Sequence, residues 1–289
     1  MPKAITLAKL GLFGQRLPLT RTPASAGLAY EDVTFLATDG VRLRGWFLPA
    51  GAANAPTIVW VHGWMWNRAG NIAGRVPFRD RDVDFFPATR ALHDAGFNVL
   101  MFDLANHGQS GKRLPLTQGP WEARDFVGAV RYARTRQDVD GERIGVIGMS
   151  AGGNTVFYGT PHCQPIRAIL AVQPTKVRRF NARFSLDEVG VLGPLIAASA
   201  DIVNLAMRAP LYKNHDPAKP LARIGDTVVR YVQGAGDPWG ELSVVEGFSA
   251  ATPRSLGVQI YPSPSGRYEG YRYVSNETDE VVDFFREYV

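Results

Sequence analysis

The sequence is poor in cysteine and lacks the motifs of several cofactor-binding classes. Cys163 is the only cysteine among 289 residues, which excludes a disulfide within the chain and is typical of proteins from a reducing compartment. We therefore expect a cytoplasmic protein. A zinc site needs three or four ligands, and only His162 lies beside Cys163. Without a glycine-rich phosphate loop or a dinucleotide fingerprint, we expect neither a metal nor another cofactor.

Uninterrupted apolar runs of membrane-spanning length are also missing. Near the N-terminus, Lys9 and Arg16 break an apolar stretch that is too short for a signal sequence or a membrane span. The longer apolar run over residues 189–207 is interrupted by Asp201 and Asn204. This pattern predicts a pair of amphipathic helices.

Acidic residues are absent before Glu31, and the positions ahead of it carry four basic residues: Lys3, Lys9, Arg16 and Arg21. Most of the formal charge of +5 therefore belongs to a basic N-terminal arm, residues 1–29. The remainder of the chain is nearly neutral. A nucleic-acid-binding protein would show a basic face with a recognition motif, so we expect no nucleic-acid partner.

The arm also carries apolar residues between its basic ones: Ile5, Leu7, Leu10, Leu12 and Phe13. A basic amphipathic segment can lie on an anionic membrane surface, which would give weak peripheral membrane association. We favour the alternative, in which the arm packs on its own domain.

Beyond the arm, short apolar runs alternate with helix-forming stretches. Two strand-like runs flank the turn signal Thr38-Asp39-Gly40 and predict an antiparallel hairpin. The predicted strands cover residues 30–35, 42–48, 57–61, 98–103, 144–147, 168–172, 227–232 and 258–261. The predicted helices cover residues 84–95, 120–136, 151–159, 241–251 and 277–288. Such alternation predicts a mostly parallel sheet covered by helices on both faces.

One stretch carries a recognisable chemical motif. Gly148-Met149-Ser150-Ala151-Gly152 follows an apolar run and precedes a helix-forming segment. A sharp strand-to-helix turn of this kind needs small neighbours and exposes a serine hydroxyl above the sheet. Ser150 is therefore a candidate nucleophile.

Together with this turn, three further motifs resemble those of the α/β-hydrolase superfamily. They are His62-Gly63-Trp64, Asp103 with Asn106-His107-Gly108-Gln109-Ser110, and Gly234-Ala235-Gly236-Asp237-Pro238. The resemblance covers about residues 30–289 and implies a mostly parallel, doubly wound sheet of about eight strands. It also implies an N-terminal antiparallel hairpin and a small helical cap inserted at about residues 175–225.

The resemblance implies roles for individual residues. Ser150 would attack an acyl carbon, and the backbone N–H groups of Ala151 and Trp64 would form an oxyanion hole. Asp237 occupies the position of the acid that orients a histidine, although an Asp before Pro can also simply form a turn. His62, Trp66 and Trp239 are expected to border the pocket.

The histidine that should follow the acid is absent. The five histidines are His62, His93, His107, His162 and His215, and all of them precede Asp237. Arg267 stands where the resemblance places the histidine. An arginine cannot lose its proton in a protein and cannot act as a general base. Low-ranking substitutes are His62, His107, His215 and Glu269, each of which is more simply explained as a structural or solvated polar residue.

Two functions from different classes follow. The first is a serine hydrolase of esterase type, acting on a small acyl or aryl ester with an atypical or impaired triad. The aromatic residues around the predicted pocket favour such a substrate over a charged one. The second is a catalytically inactive protein of the same fold that works as a ligand-binding or interaction module. Ser150 and Asp237 favour the first, and Arg267 favours the second.

Overall fold

A central eight-stranded sheet organises the chain. The computed structural model describes residues 2–289. The strands of this sheet follow the order β1-β2-β6-β3-β7-β8-β9-β10, and β4 pairs with β5 in a separate two-stranded sheet. The ten strands are β1 Glu31–Leu36, β2 Arg42–Leu48, β3 Ala55–Val61, β4 Gly70–Asn71, β5 Val83–Asp84, β6 Asn98–Phe102, β7 Val139–Met149, β8 Ala168–Val172, β9 Val228–Gly234 and β10 Arg254–Tyr261.

The strand directions confirm the predicted hairpin and the predicted parallel sheet. β1 pairs antiparallel with β2, and β2 pairs antiparallel with β6. From β6 to β10 every neighbouring pair is parallel. Val59, Ile147 and Leu170 on the central strands are fully buried, as continuous apolar runs in a two-sided parallel sheet should be.

The helices cover both faces of the sheet, as predicted. On one face, Phe126, Phe157 and Phe248 pack together from three helices, and on the other Leu92 and Phe285 belong to a separate apolar core. The helices are α1 Pro2–Phe13, α2 Phe86–Asp94, α3 Ala123–Arg134, α4 Ala151–Gly159, α5 Val177–Val189, α6 Gly193–Ala206, α7 Ala218–Leu221, α8 Leu242–Ala251, α9 Arg267–Tyr271, α10 Tyr273–Asn276 and α11 Thr278–Tyr288. Short 3₁₀ turns cover Pro23–Ala26, Thr160–His162 and Tyr212–Asn214.

Some boundaries differ from the sequence prediction. The helix expected to begin at Pro120 begins at Ala123, because the Glu122 carboxylate accepts hydrogen bonds from the Thr117 and Gly119 N–H groups and shapes a turn there. The last strand begins at Arg254 instead of residue 258, and its pairing is irregular between Ser255 and Val258. The small β4–β5 sheet was not predicted, since two-residue strands carry no periodic pattern.

The segment predicted as a cap contains α5 and α6, which contact each other. The N-terminal helix α1 lies against both. Three of the five apolar residues in the arm, Leu7, Leu10 and Leu12, are buried there, so their side chains are not free to contact a membrane. Across residues 2–289, none of the helices combines the length and apolar character that crossing a bilayer requires.

Candidate active site

Ser150 lies in a strained turn between β7 and α4. Its backbone has φ 52° and ψ −117°, an unfavourable region for a residue with a side chain. The Ser150 N–H donates to the Val172 carbonyl at 2.9 Å, which holds the turn to the neighbouring strand. A Cβ at position 152 would collide with the carbonyl oxygens of Val61 and His62. Glycine is therefore required where the turn crosses β3.

Two backbone amides near the turn are unpaired. Neither the Trp64 N–H nor the Ala151 N–H donates to another group within the described chain. Ala151 begins α4, where the first amides of a helix have no partner inside it. The Trp64 indole donates to the Leu10 carbonyl of α1 at 3.0 Å, which anchors the loop after β3. Met65 in this loop has a positive φ of 71°.

Asp237 lies in the loop after β9, and hydrogen bonds surround its carboxylate. One oxygen accepts the N–H groups of Trp239 at 3.0 Å and Gly240 at 2.9 Å. The other oxygen accepts a hydrogen bond from the Gln233 side-chain amide at 3.0 Å and forms an ion pair with Arg267. Four donors therefore fix the orientation of this carboxylate.

Arg267, at the start of α9, joins Asp237 to Ser150. Its Nη1 donates to the Asp237 carboxylate, and its Nη2 donates to Ser150 Oγ at 3.2 Å and to the Gln173 carbonyl at 2.6 Å. Burial lowers the pKa of Arg267, but Asp237 and Tyr271 raise it, and the net shift is upward. The guanidinium is therefore a permanent cation between Asp237 and Ser150.

Tyr271 is a site residue that the sequence analysis missed. It is 2% exposed, lines the pocket with Ser150 and Arg267, and its ring centroid lies 5.1 Å from the Arg267 guanidinium carbon. Burial raises its pKa to about 12, so the phenol is protonated at neutral pH. Gln173 was missed as well: its amide donates to the Arg267 carbonyl at 2.8 Å. The sequence did contain one signal for Tyr271: it lies four residues after Arg267, so on a helix the two side chains are neighbours.

The histidines do not reach Ser150. His62 is fully buried; its Nδ1 donates to the Gly63 carbonyl at 2.7 Å, and its Nε2 accepts the Leu104 N–H at 3.0 Å. His107 lies beside His62 with ring centroids 5.1 Å apart. Burial lowers the pKa of both to about 4.

His215 packs against Tyr158 and Tyr212. Burial also lowers the pKa of His215 to about 4. Neither His107 nor His215 hydrogen-bonds to Ser150 within the described chain, and Glu269 is bonded to Ser265. The structure brings none of the substitute bases to the serine hydroxyl.

Aromatic side chains close the pocket above Ser150. The lining contains three of the six tryptophans with two phenylalanines and two tyrosines: Trp64, Trp66, Trp239, Phe180, Phe184, Tyr268 and Tyr271. His62 lies outside this lining, because it is buried beneath the loop. The cavity measures about 20 Å³, which is room for about one water molecule. A larger cavity of about 450 Å³ adjoins it and shares Trp239, Arg267 and Tyr268.

Known proteins resemble this chain in sequence and in fold. A sequence model described as the alpha/beta hydrolase family matches residues 58–288. The uncharacterized protein YfhR of Salmonella typhimurium is 34% identical over 146 residues, which cover 49% of this chain and 43% of YfhR. The thiohydrolase aneE of Aspergillus aculeatus is 32% identical over 146 residues, covering 50% of this chain and 42% of aneE. The match thus spans less than half the length of each relative.

A solved structure matches nearly the whole chain. The esterase Pf2001 of Pyrococcus furiosus superposes with a TM-score of 0.75 at 21% identity, covering 95% of this chain and 97% of that one. At this identity the likeness establishes the shared fold.

Proposed function

The chain belongs to the alpha/beta hydrolase family, and from that premise we propose that it is a carboxylic-ester hydrolase that acts through Ser150 with an impaired triad. The observation that carries the proposal is the strained conformation of Ser150 beside two unpaired backbone amides, Trp64 N–H and Ala151 N–H. Strain of this kind persists where function maintains it. Unpaired amides beside a nucleophile can stabilise the oxyanion of an acyl-transfer reaction.

In the proposed reaction, Ser150 Oγ bonds to the acyl carbon and the carbonyl oxygen becomes an oxyanion held by the two amides. The leaving group departs when the intermediate collapses, and water then hydrolyses the acyl-enzyme. The serine proton passes to solvent water or hydroxide, because Arg267 cannot accept it and the Tyr271 phenol, with its pKa of about 12, already holds its own. Arg267 stabilises a serine alkoxide by its charge.

This mechanism favours substrates whose leaving groups depart without a proton. Activated aryl esters meet that requirement, and so do thioesters, whose thiolate is a stable anion. The relative from Aspergillus aculeatus bears the name thiohydrolase, which supports including thioesters. The aromatic pocket walls favour an apolar acyl or aryl group. Because the cavity of about 20 Å³ is smaller than any such group, the walls must separate for the substrate to enter.

A second function is favoured by one specific observation. Arg267 ties Asp237, Ser150 and the Gln173 carbonyl into one buried network. A serine without a base is a poor nucleophile, so a protein with this network could bind an apolar ligand without turnover.

Labelling with a fluorophosphonate probe distinguishes the two functions. We expect slow covalent labelling that is lost in Ser150→Ala, together with turnover of short nitrophenyl esters and phenyl thioesters by the unaltered protein. Labelling should accelerate as the pH rises, because hydroxide replaces the missing base. Absence of Ser150-dependent labelling and of turnover would overturn the hydrolase function and favour the ligand-binding one.

A further inference from the structure

The outer face of α6 is apolar and uncovered. Leu195, Ile202 and Leu205 are 67–70% exposed, and they lie at the spacing that places residues on one side of a helix. Ala198 and Ala206 share that exposed side. Immediately before the helix, Val191 is 84% exposed and Leu192 is 63% exposed. Large contiguous apolar surfaces of this kind mark interaction sites.

Two of the three polar residues of α6 point the other way; the third, Ser199, lies on the exposed side and its hydroxyl donates to the Ile196 carbonyl at 2.7 Å. Asn204 is fully buried and donates to the Pro210 carbonyl at 3.1 Å. The Asp201 carboxylate accepts the N–H groups of Tyr212 at 2.6 Å and Lys213 at 3.2 Å. The two residues that interrupt the apolar run thus form hydrogen bonds with backbone groups of the segment that follows the helix. The usual arrangement of a surface helix, with its polar face toward water, is inverted here.

Basic residues border this face. Arg208 and Lys213, just beyond the end of α6, are both exposed. No carboxylate forms an ion pair with either side chain within residues 2–289. Helix α1 contains no acidic residue, and Asp201 is the only one on α6. The apolar face therefore has a positive border.

We propose that the outer face of α6 docks on an anionic lipid surface. Apolar side chains enter the boundary between headgroups and acyl chains, while cations beside them attract anionic headgroups. A second copy of the chain fits this surface less well, since two-fold pairing would bring the positive borders together. The proposal concerns a different surface from the Ser150 pocket and is independent of the proposed hydrolysis.

Vesicle flotation tests the proposal with the full chain. The vesicles contain phosphatidylcholine with about a quarter phosphatidylglycerol, and parallel samples contain phosphatidylcholine alone. We expect binding to the anionic vesicles that weakens in about 0.5 M NaCl, where screening is strong. The double variant Ile202→Glu, Leu205→Glu should reduce the partition coefficient by about tenfold or more, because carboxylates enter the apolar boundary poorly.

Matched variants separate docking from general effects. Leu36→Glu replaces a residue of similar exposure, 58%, on strand β1 and should bind vesicles like the unaltered protein. Arg208→Gln with Lys213→Gln should weaken binding to anionic vesicles only. Ser150→Ala should bind fully, which keeps this test distinct from the test of hydrolysis.

Three results would overturn the proposal: no flotation with anionic vesicles, equal loss in Leu36→Glu, or a stable dimer in light scattering that the α6 variant dissociates while vesicles remain unbound. The last would assign the face to a second copy.

Discussion

Two buried arginine–aspartate pairs in this molecule differ in what lies beside them. Arg68 donates to Asp103 at 2.7 Å, and its second terminal nitrogen donates to a neighbouring glutamine side chain. Arg267 donates to Asp237 in a similar way, but its second terminal nitrogen donates to Ser150. The first pair lies away from the pocket, and we call it the scaffold pair. In the second pair, the site pair, Arg267 lines the pocket.

Histidines accompany the first pair and not the second. Burial is the main cause of the lowered pKa of His62, and the charge of Arg68 lowers that pKa further. The charge of Asp103 raises the pKa of His107, against the larger effect of burial. Both rings are buried among backbone groups of the loops that carry the pocket. The comparison teaches that in this chain histidine supports the loops around the site, while arginine lies next to Ser150.

The largest expected effect distinguishes the two pairs by stability. Arg68→Met would leave the buried Asp103 carboxylate with two backbone donors, the N–H groups of residues 68 and 109. Breaking a buried pair in this way typically costs about 3–5 kcal/mol of unfolding free energy. Urea denaturation measures the loss.

The matched variant is Arg267→Met. Asp237 would keep three donors, from Gln233, Trp239 and Gly240, so the expected loss is smaller, roughly 1–3 kcal/mol. Equal losses in the two variants would contradict the distinction between a scaffold pair and a site pair.

A pH titration sharpens the role of the histidines. His62 and His107 have a pKa of about 4 in the folded protein against about 6.5 when unfolded. As the pH falls from about 6.5 to 4, the unfolded chain therefore takes up protons that the folded chain does not. Each histidine should remove up to about 3 kcal/mol of stability across that range. Protonation of His62 would also abolish its acceptance of the Leu104 N–H.

His107→Asn isolates one of these contributions. The asparagine amide can still donate to the Ala105 carbonyl, which His107 Nδ1 contacts at 2.9 Å, but it takes up no proton. The variant should lose less stability between pH 6.5 and 4 than the unaltered protein, as measured by urea denaturation at each pH. An unchanged pH dependence would show that His107 becomes charged in the folded state without cost.

The sheet, its hairpin and the turn at Ser150 could be predicted because their signals are local. Apolar runs of strand length alternate with helical stretches, and glycines bracket Ser150 where the backbone needs room. The position of Arg267 was also inferred before any geometry, since the loop after the last strand lacks a histidine. The structure places the guanidinium beside Asp237 and Ser150, and its occupation of a catalytic histidine position stays a prediction.

Other features could not be predicted because they depend on contacts distant in sequence. Tyr271 reaches Ser150 only after α9 folds against the end of β9. The run over residues 189–207 was predicted as a pair of amphipathic helices, but most of it forms the single helix α6, because Asp201 and Asn204 form hydrogen bonds with the segment after the helix and do not interrupt it. A periodic pattern shows that a helix has two faces without showing which one is covered.

The smallest expected effect tests the site pair directly. Arg267→His would place a titratable ring between Asp237 and Ser150, and we expect nitrophenyl ester turnover to rise by about tenfold or more, about 1.4 kcal/mol in activation free energy. The dependence of kcat/KM on pH should gain an inflection in the range where histidine titrates, near 6.5.

Arg267→Gln is the matched control, because it removes the cation without supplying a base. If Arg267→Gln raised the rate as much as Arg267→His, the guanidinium would be an obstruction and the missing base would not limit turnover. A gain confined to Arg267→His, and lost when Asp237→Asn is added, would show that the pocket retains the rest of a triad.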